Sequence, residues 1–84
     1  MIVQILYFAG LRERLGHASE QLEMPDGVTD VAGLLAFLAA RGGEWEGLAT
    51  VRNLRYAVNQ EMARPQTTLR AGDEVAFFPP VTGG

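Results

Sequence analysis

One long helical pattern stands in a chain that otherwise consists of strand segments, turns and a short helical segment at residues 11–15, and this contrast limits the possible folds more than any other feature. Four apolar residues recur at spacings of three and four: Val31, Leu34, Leu35 and Leu38. This spacing gives an amphipathic helix with one apolar stripe. Thr29 is its predicted N-cap, because a threonine hydroxyl can accept a hydrogen bond from a free N–H of the first turn.

Strand patterns lie on both sides of this helix. Residues 2–8 are almost continuously apolar and rich in β-branched and aromatic side chains, which is typical of a central strand. Segments 19–24, 54–60 and 74–78 also have strand character, and Pro65 restricts the segment after residue 60 to a sheet edge. Because the helical stripe must pack on another element, we predict an α+β fold, with one main helix across a mixed sheet of four or five strands.

Composition removes several classes of chemistry. The chain has 84 residues and no cysteine, which excludes disulfides, zinc–thiolate sites and cysteine nucleophiles. Its single histidine, His17, follows a glycine in a polar stretch and is interpreted as a surface residue, so no metal site is predicted. Few candidates for side-chain catalysis remain.

Charge and hydropathy limit the partners. The net charge is −3, and the basic residues, all of them arginine, form no cluster, so we expect no nucleic-acid binding. No apolar run approaches the roughly 18 residues that a membrane helix needs, and no signal peptide is evident. The sequence therefore predicts a cytoplasmic protein without a membrane partner.

The last six residues differ in character from the rest. Pro79 and Pro80 cannot donate hydrogen bonds to a sheet and favour an extended conformation, while Gly83 and Gly84 lack Cβ atoms and make the least hindered peptide available. Such a tail could reach roughly 20 Å and enter a narrow channel. We predict a folded domain over residues 1–78 and an extended tail over residues 79–84. The alternative is a frayed, inert terminus.

A terminal carboxylate requires activation before it can react. Its ordinary pKa of about 3.5 keeps it ionised at neutral pH, and the anion resists nucleophiles. Conversion to an acyl-adenylate would allow transfer to an amine, a thiol or sulfide. Because the chain has no cysteine, any sulfur that it carries has to sit on the terminal carboxyl group as a thiocarboxylate.

The residues before the tail show a family resemblance. Residues 72–84 read Gly-Asp-Glu-Val-Ala-Phe-Phe-Pro-Pro-Val-Thr-Gly-Gly and resemble the C-terminal signature of the small, sulfur-carrying subunit family of molybdopterin synthase. Segments 57–60 and 7–13 extend the resemblance over nearly the whole chain. The resemblance implies a β-grasp, ubiquitin-like fold, in which the first and last strands lie parallel at the centre of the sheet.

The resemblance also implies a function. An adenylyltransferase similar to ubiquitin-activating enzymes would use ATP to form the Gly84 acyl-adenylate, and a sulfur donor would convert it to the thiocarboxylate. The tail would then enter the large synthase subunit, in a heterotetramer of two small and two large subunits. There it would give sulfur to cyclic pyranopterin monophosphate to build the dithiolene of molybdopterin. The small subunit would bind no cofactor itself and would not be catalytic alone.

The implied site residues form three groups. Gly84 bears the sulfur. The tail-binding residues are Pro79, Pro80, Val81, Thr82 and Gly83. The predicted partner interface consists of Phe78, Met62 and Arg12. On the last strand, Val75 and Phe77 are predicted to face the helix, which leaves Phe78 on the opposite face for the partner.

Other functions fit parts of this pattern. A sulfur carrier of another pathway, such as the thiamine type, would share the fold and the Gly-Gly end, but Phe-Phe-Pro-Pro before the tail disfavours it. A ubiquitin-like modifier would be conjugated to lysines of other proteins. A third alternative is an interaction domain with an inert tail.

Overall fold

The first and last strands of the chain are neighbours at the centre of a five-stranded mixed sheet. The computed structural model describes residues 1–51 and 53–79. In chain order the elements are β1 (Ile2–Tyr7), α1 (Gly10–Leu15), β2 (Ser19–Glu23), α2 (Val31–Ala39), a 3₁₀ helix (Gly43–Thr50), β3 (Arg55–Val58), β4 (Glu61–Met62) and β5 (Glu74–Phe78). No helix in the described part of the chain is long and apolar enough to cross a membrane.

The strand order is β2-β1-β5-β3-β4. β1 and β5 run parallel, with Ile5 opposite Val75 and Tyr7 opposite Phe77. The other neighbours pair antiparallel. A parallel pair needs a long crossover, and the chain between β1 and β5 contains both α-helices, the 3₁₀ helix and the other three strands. The predicted β-grasp arrangement is confirmed, with the two central strands joined in the expected direction.

The N-cap of α2 differs from the prediction. Asp30, not Thr29, caps the helix: its Oδ1 accepts a hydrogen bond from the backbone N–H of Gly33 at 2.8 Å. A backbone bridge to Thr68 holds Asp30 in the extended conformation that an N-cap requires. Thr29 lies one residue too early, and its carbonyl accepts a hydrogen bond from Leu69. Aspartate and threonine are both good N-cap residues, so the bridge between Asp30 and Thr68 determines which of the two caps α2.

A single apolar core fills the space between α2 and one face of the sheet. Val31, Leu34 and Leu38 from the helix stripe are fully buried, as are Val75 and Phe77 from β5. The rings of Tyr7 and Tyr56 lie on either side of Phe77, with centroids 6.3 and 5.9 Å away. The prediction that Val75 and Phe77 face the helix is therefore confirmed.

A polar and aromatic cluster fastens the 3₁₀ helix to the sheet. The Arg41 guanidinium donates two hydrogen bonds to the Glu20 carboxylate, at 2.9 and 2.8 Å, and lies 4.4 Å from the centroid of the Trp45 ring. The Tyr7 hydroxyl donates to the same carboxylate at 2.9 Å. Burial and the Glu20 hydrogen bond raise the pKa of Tyr7, so the phenol remains a neutral donor. Arg41 thereby links β2, α2 and the 3₁₀ helix.

This cluster predicts acid-sensitive stability. The hydrogen bonds from Arg41, and then that from Tyr7, hold the pKa of Glu20 below its ordinary 4.5. A lowered folded-state pKa stabilises the fold above pH 4.5, and this contribution is lost as the pH falls through the folded-state pKa. Glu20→Gln should therefore lower the free energy of unfolding at pH 7 by about 1–2 kcal/mol and flatten its dependence on pH below 4.5.

Glu23→Gln is the matched control, on the same strand. The Glu23 side chain is 70% exposed and pairs with the N-terminal ammonium group, so its loss should cost less than about 0.5 kcal/mol. Urea unfolding at pH 7, 4 and 3 measures both variants. If the free energy of unfolding depended on pH in the same way for Glu20→Gln and for the parent chain, the stabilising role of ionised Glu20 would be contradicted.

Candidate docking surface

The last strand carries the base of the C-terminal tail. β5 ends at Phe78, and Phe78 and Pro79 are both partly exposed. The predicted residues Pro80, Val81, Thr82, Gly83 and Gly84 lie outside the described residues. The structure therefore defines the platform from which the tail leaves.

The sheet packs one of its faces against α2. The other face points away from α2, and we call it the open face. Side chains alternate along a strand, so the burial of Val75 and Phe77 against α2 places Ala76 and Phe78 on the open face. The same alternation places Leu6 there. Neither Leu6 nor Phe78 belongs to the set of side chains packed on the core. A sheet with one covered face and one partly apolar open face is suited to contact another protein.

Strand register assembles an apolar row across the open face. Leu6 is opposite Ala76, Ala76 is opposite Ala57, and Ala57 is opposite Met62. Met62, on the short edge strand, is 63% exposed and does not belong to the core. The row has small, buried alanines in the middle and the larger Leu6 and Met62 at its ends.

A second row lies next to it, at the end where the tail leaves. The backbone N–H of Phe8 donates to the carbonyl of Phe77 at 3.2 Å, which extends the pairing of β1 with β5 by one residue. Phe8 is thus beside Phe78 and is 46% exposed. On the other side of Phe78, β3 contributes Arg55. Two aromatic residues, Phe8 and Phe78, therefore occupy neighbouring strands at the base of the tail.

A tight turn ends β1 and begins α1. The N–H of Leu11 donates to the carbonyl of Phe8 at 3.2 Å, and Ala9 has φ 53° and ψ −131°. This conformation suits glycine better than alanine and costs of order 1–3 kcal/mol. The turn brings α1, with the exposed Arg12, next to the tail end of the sheet. Phe78 and Met62 lie on the open face, whereas Arg12 lies on α1, which turns Leu11 and Leu15 into the core.

Sequence reasoning missed three members of this surface: Leu6, Phe8 and Arg55. The strand pattern of residues 2–8 includes Leu6 and Phe8 but does not assign either of them to a face of the sheet. Their relation to Phe78 follows from the parallel register of β1 and β5, which joins residues about 70 positions apart. Alternation from the buried Ile5 could have indicated Leu6, but only long-range pairing shows which residues share a row.

Exposed aromatic side chains allow a test of the surface. Phe8→Ala should weaken binding to a docking partner by at least about tenfold, because aromatic anchors at the centre of an interface cost 1–2 kcal/mol or more when truncated. The matched control is Phe37→Ala, because Phe37 is 36% exposed on α2, on the other side of the sheet. Titration calorimetry measures both. Equal losses for the two variants would contradict the assignment of the open face.

The described residues show no metal centre. Among residues 1–51 and 53–79, no three His, Asp or Glu side chains come together as possible metal ligands.

Comparison with known proteins identifies the family. The ThiS family profile matches residues 5–84, which begin within β1 and run to the end of the chain's tail. The chain belongs to the ThiS family.

Similarity to individual curated proteins narrows the assignment within the ThiS family. It is 36% identical to the molybdopterin synthase sulfur carrier subunit of Haemophilus influenzae over 83 residues, covering 99% of this chain and 100% of the relative. The subunit of the same name from Escherichia coli is 37% identical with the same coverage. The resemblance to the molybdopterin synthase small subunit family is confirmed over the full length.

Solved structures agree on the fold. The crystal structure of SAMP1 from Haloferax volcanii, a small archaeal modifier protein, superimposes with a TM-score of 0.81 at 28% sequence identity and covers all of both chains. The β-grasp of this ThiS-family chain is therefore shared by proteins named as sulfur carriers and by proteins named as modifiers.

Proposed function

We propose that this chain is a sulfur carrier of molybdenum cofactor biosynthesis, acting as the small subunit of molybdopterin synthase. The observation that carries the proposal is full-length similarity to subunits of that name, at 36% and 37% identity. The geometry supports it, since an apolar open face lies directly at the base of a Gly-Gly tail. A carrier needs both features: a surface that is recognised and a reactive end that can be presented.

The chemistry takes place at Gly84. Its carboxylate oxygen attacks the α-phosphate of ATP on an activating adenylyltransferase, and pyrophosphate leaves. Sulfide sulfur from a donor then attacks the acyl carbon, and AMP leaves with the former carboxylate oxygen. The product is a thiocarboxylate. This chain contributes no side-chain acid or base to either step, so its role is to present the carboxyl group.

Sulfur transfer follows on the large synthase subunit. The thiocarboxylate sulfur forms a C–S bond to a carbon of cyclic pyranopterin monophosphate, the C–O bond at that carbon breaks and its oxygen leaves, and water then cleaves the acyl–sulfur bond, which leaves the sulfur on the pterin and restores the Gly84 carboxylate. Two such sulfurs complete the dithiolene. We propose that Phe78, Met62 and Phe8 contact the large subunit, with Arg12 at the rim, while residues 79–83 occupy its channel. Without Cβ atoms, Gly83 and Gly84 fit where the walls are close.

Assembly and location extend the proposal. Two small and two large subunits would form the synthase, with one tail in each large subunit. The cytoplasmic location expected from the sequence stays a prediction. The chain itself would hold no cofactor, and ATP would be consumed on the activating enzyme.

Protein modification is the second candidate, and a specific observation favours it. The structure that superimposes with a TM-score of 0.81 belongs to a protein named as a modifier. In that role the activated Gly84 would form an amide with an amine of another protein. The two functions share the adenylation step and differ in the nucleophile that follows. A sulfur carrier of another pathway, such as the thiamine type, shares the thiocarboxylate and differs only in the acceptor.

Intact-mass spectrometry of the chain isolated from its own cells separates these candidates. A carrier should show the exchange of one oxygen for sulfur at Gly84, and it should lose this sulfur when the large subunit and cyclic pyranopterin monophosphate are added. A modifier should appear in covalent adducts with other proteins. Retention of the sulfur in the presence of the pterin substrate would point to another pathway and defeat the proposal.

A further inference from the structure

Arg55 lies on the open face at the end where the tail leaves, beside Phe78. At the opposite end of the same face, register places Glu74 beside Gln4 and Glu23 beside Ile2, and Glu23 pairs with the N-terminal ammonium group. Because the net charge of the chain is −3, the positive charge of Arg55 is a local feature and does not reflect an overall excess of positive charge.

Arg55 has no carboxylate partner within the described residues. The ion pairs between residues 1–51 and 53–79 join Met1 with Glu23 and Arg41 with Glu20. Arg55 is exposed, so water solvates its guanidinium in the free chain. The absence of a carboxylate partner costs little free energy as long as water can reach the guanidinium.

Docking changes the surroundings of Arg55. A protein that covers Phe8 and Phe78 must also approach Arg55, which is the cross-strand neighbour of Phe78. Removing water from an arginine without supplying an acceptor is costly, whereas a carboxylate can accept two parallel hydrogen bonds from its planar fork. A partner complementary to this surface therefore needs an apolar centre and at least one acidic side chain near the tail channel.

We propose that Arg55 is a specificity-determining residue that pairs with a carboxylate of the large synthase subunit. The proposal rests on the proposed function, because it takes the large subunit as the occupant of the open face. This contact fixes the register of docking, so that the tail enters its channel while the apolar rows are covered.

The test measures association of the intact chain with the large subunit by stopped-flow fluorescence. Arg55→Glu should slow association by about tenfold or more at low salt, because the charge now repels the acidic partner. Arg55→Gln keeps most of the stem without the charge and should give a smaller loss. In 1 M salt, where the Debye length is about 3 Å, the difference between the two variants should largely disappear.

Arg70→Glu is the matched control. It makes the same change in net charge on an exposed residue of the loop before β5, at the other end of the sheet. It should leave association nearly unchanged. Thermal unfolding of all three variants verifies that they fold.

Two results would overturn the inference. The first is equal association rates for Arg55→Glu and Arg70→Glu; the second is a loss in Arg55→Glu that does not depend on salt, which would indicate packing. Both differ from a failure of the proposed function, in which the parent chain itself neither binds the large subunit nor gives up sulfur.

Discussion

Phe77→Ala is expected to lower the free energy of unfolding by about 3–5 kcal/mol, the largest loss of stability that a single truncation should cause here. Phe77 is fully buried, lies on a central strand and packs between the rings of Tyr7 and Tyr56. Truncation removes the burial of a whole ring and leaves a cavity that paired strands cannot close. Since domains of this size have only about 5–15 kcal/mol of stability, much of the total is at stake.

Phe37→Ala makes the same chemical change at an exposed position. Phe37 lies on α2 with 36% of its surface accessible, so its truncation should cost less than about 1 kcal/mol. Chemical denaturation of both variants gives the comparison. Losses of similar size would mean that β5 does not turn Phe77 into the core, and the assignment of Phe78 to the open face would fail with it.

Deletion of Gly84 should lower sulfur transfer by more than about a hundredfold, because a displacement of even 1 Å at a reacting centre can have that effect. The deletion moves the carboxyl group back by one residue, about 3.5 Å in an extended chain. Addition of one alanine after Gly84 should cause a similar loss, since the reacting carboxyl group is then displaced outward and carries a Cβ beside it. Single-turnover conversion of cyclic pyranopterin monophosphate measures the rate.

Thermal unfolding is the control for both tail variants. β5 ends at Phe78, so the core is unaffected by a change six residues later, and the melting temperatures should equal that of the parent chain. A deletion variant that still supports molybdopterin synthesis at the parent rate would show that Gly84 is not the sulfur-bearing group.

Local patterns predicted much of the fold. The stripe of Val31, Leu34 and Leu38 faces the core as its spacing indicates, and β5 covers the residues predicted from composition and the following prolines. These features depend on periodicity and on the chemistry of proline, both of which are local. The N-cap was misplaced because Thr29 and Asp30 are both competent, and the bridge to Thr68 that selects Asp30 is a contact between distant segments.

Only part of the candidate site was predictable, because the rest depends on pairing between distant strands. Phe78 and Met62 could be proposed from a sequence resemblance, and the exposure of Met62 fits a surface role. Phe8 and Arg55 could not, because their place beside Phe78 depends on how β1 and β3 align with β5. The bidentate contact of Arg41 with Glu20 is also beyond local reasoning, since 21 residues separate the two side chains.

The central claim is that Gly84 carries sulfur to a pterin while the open face holds the chain on its partner. The most direct measurement charges the intact chain with radiolabelled sulfur, using the activating enzyme, ATP and a sulfur donor, and then adds the large subunit and cyclic pyranopterin monophosphate. The account predicts that the label leaves the protein and appears in the dithiolene product, with the chain recovered as its free carboxylate. Label that stays on the chain, or a chain recovered in amide linkage to another protein, would contradict it.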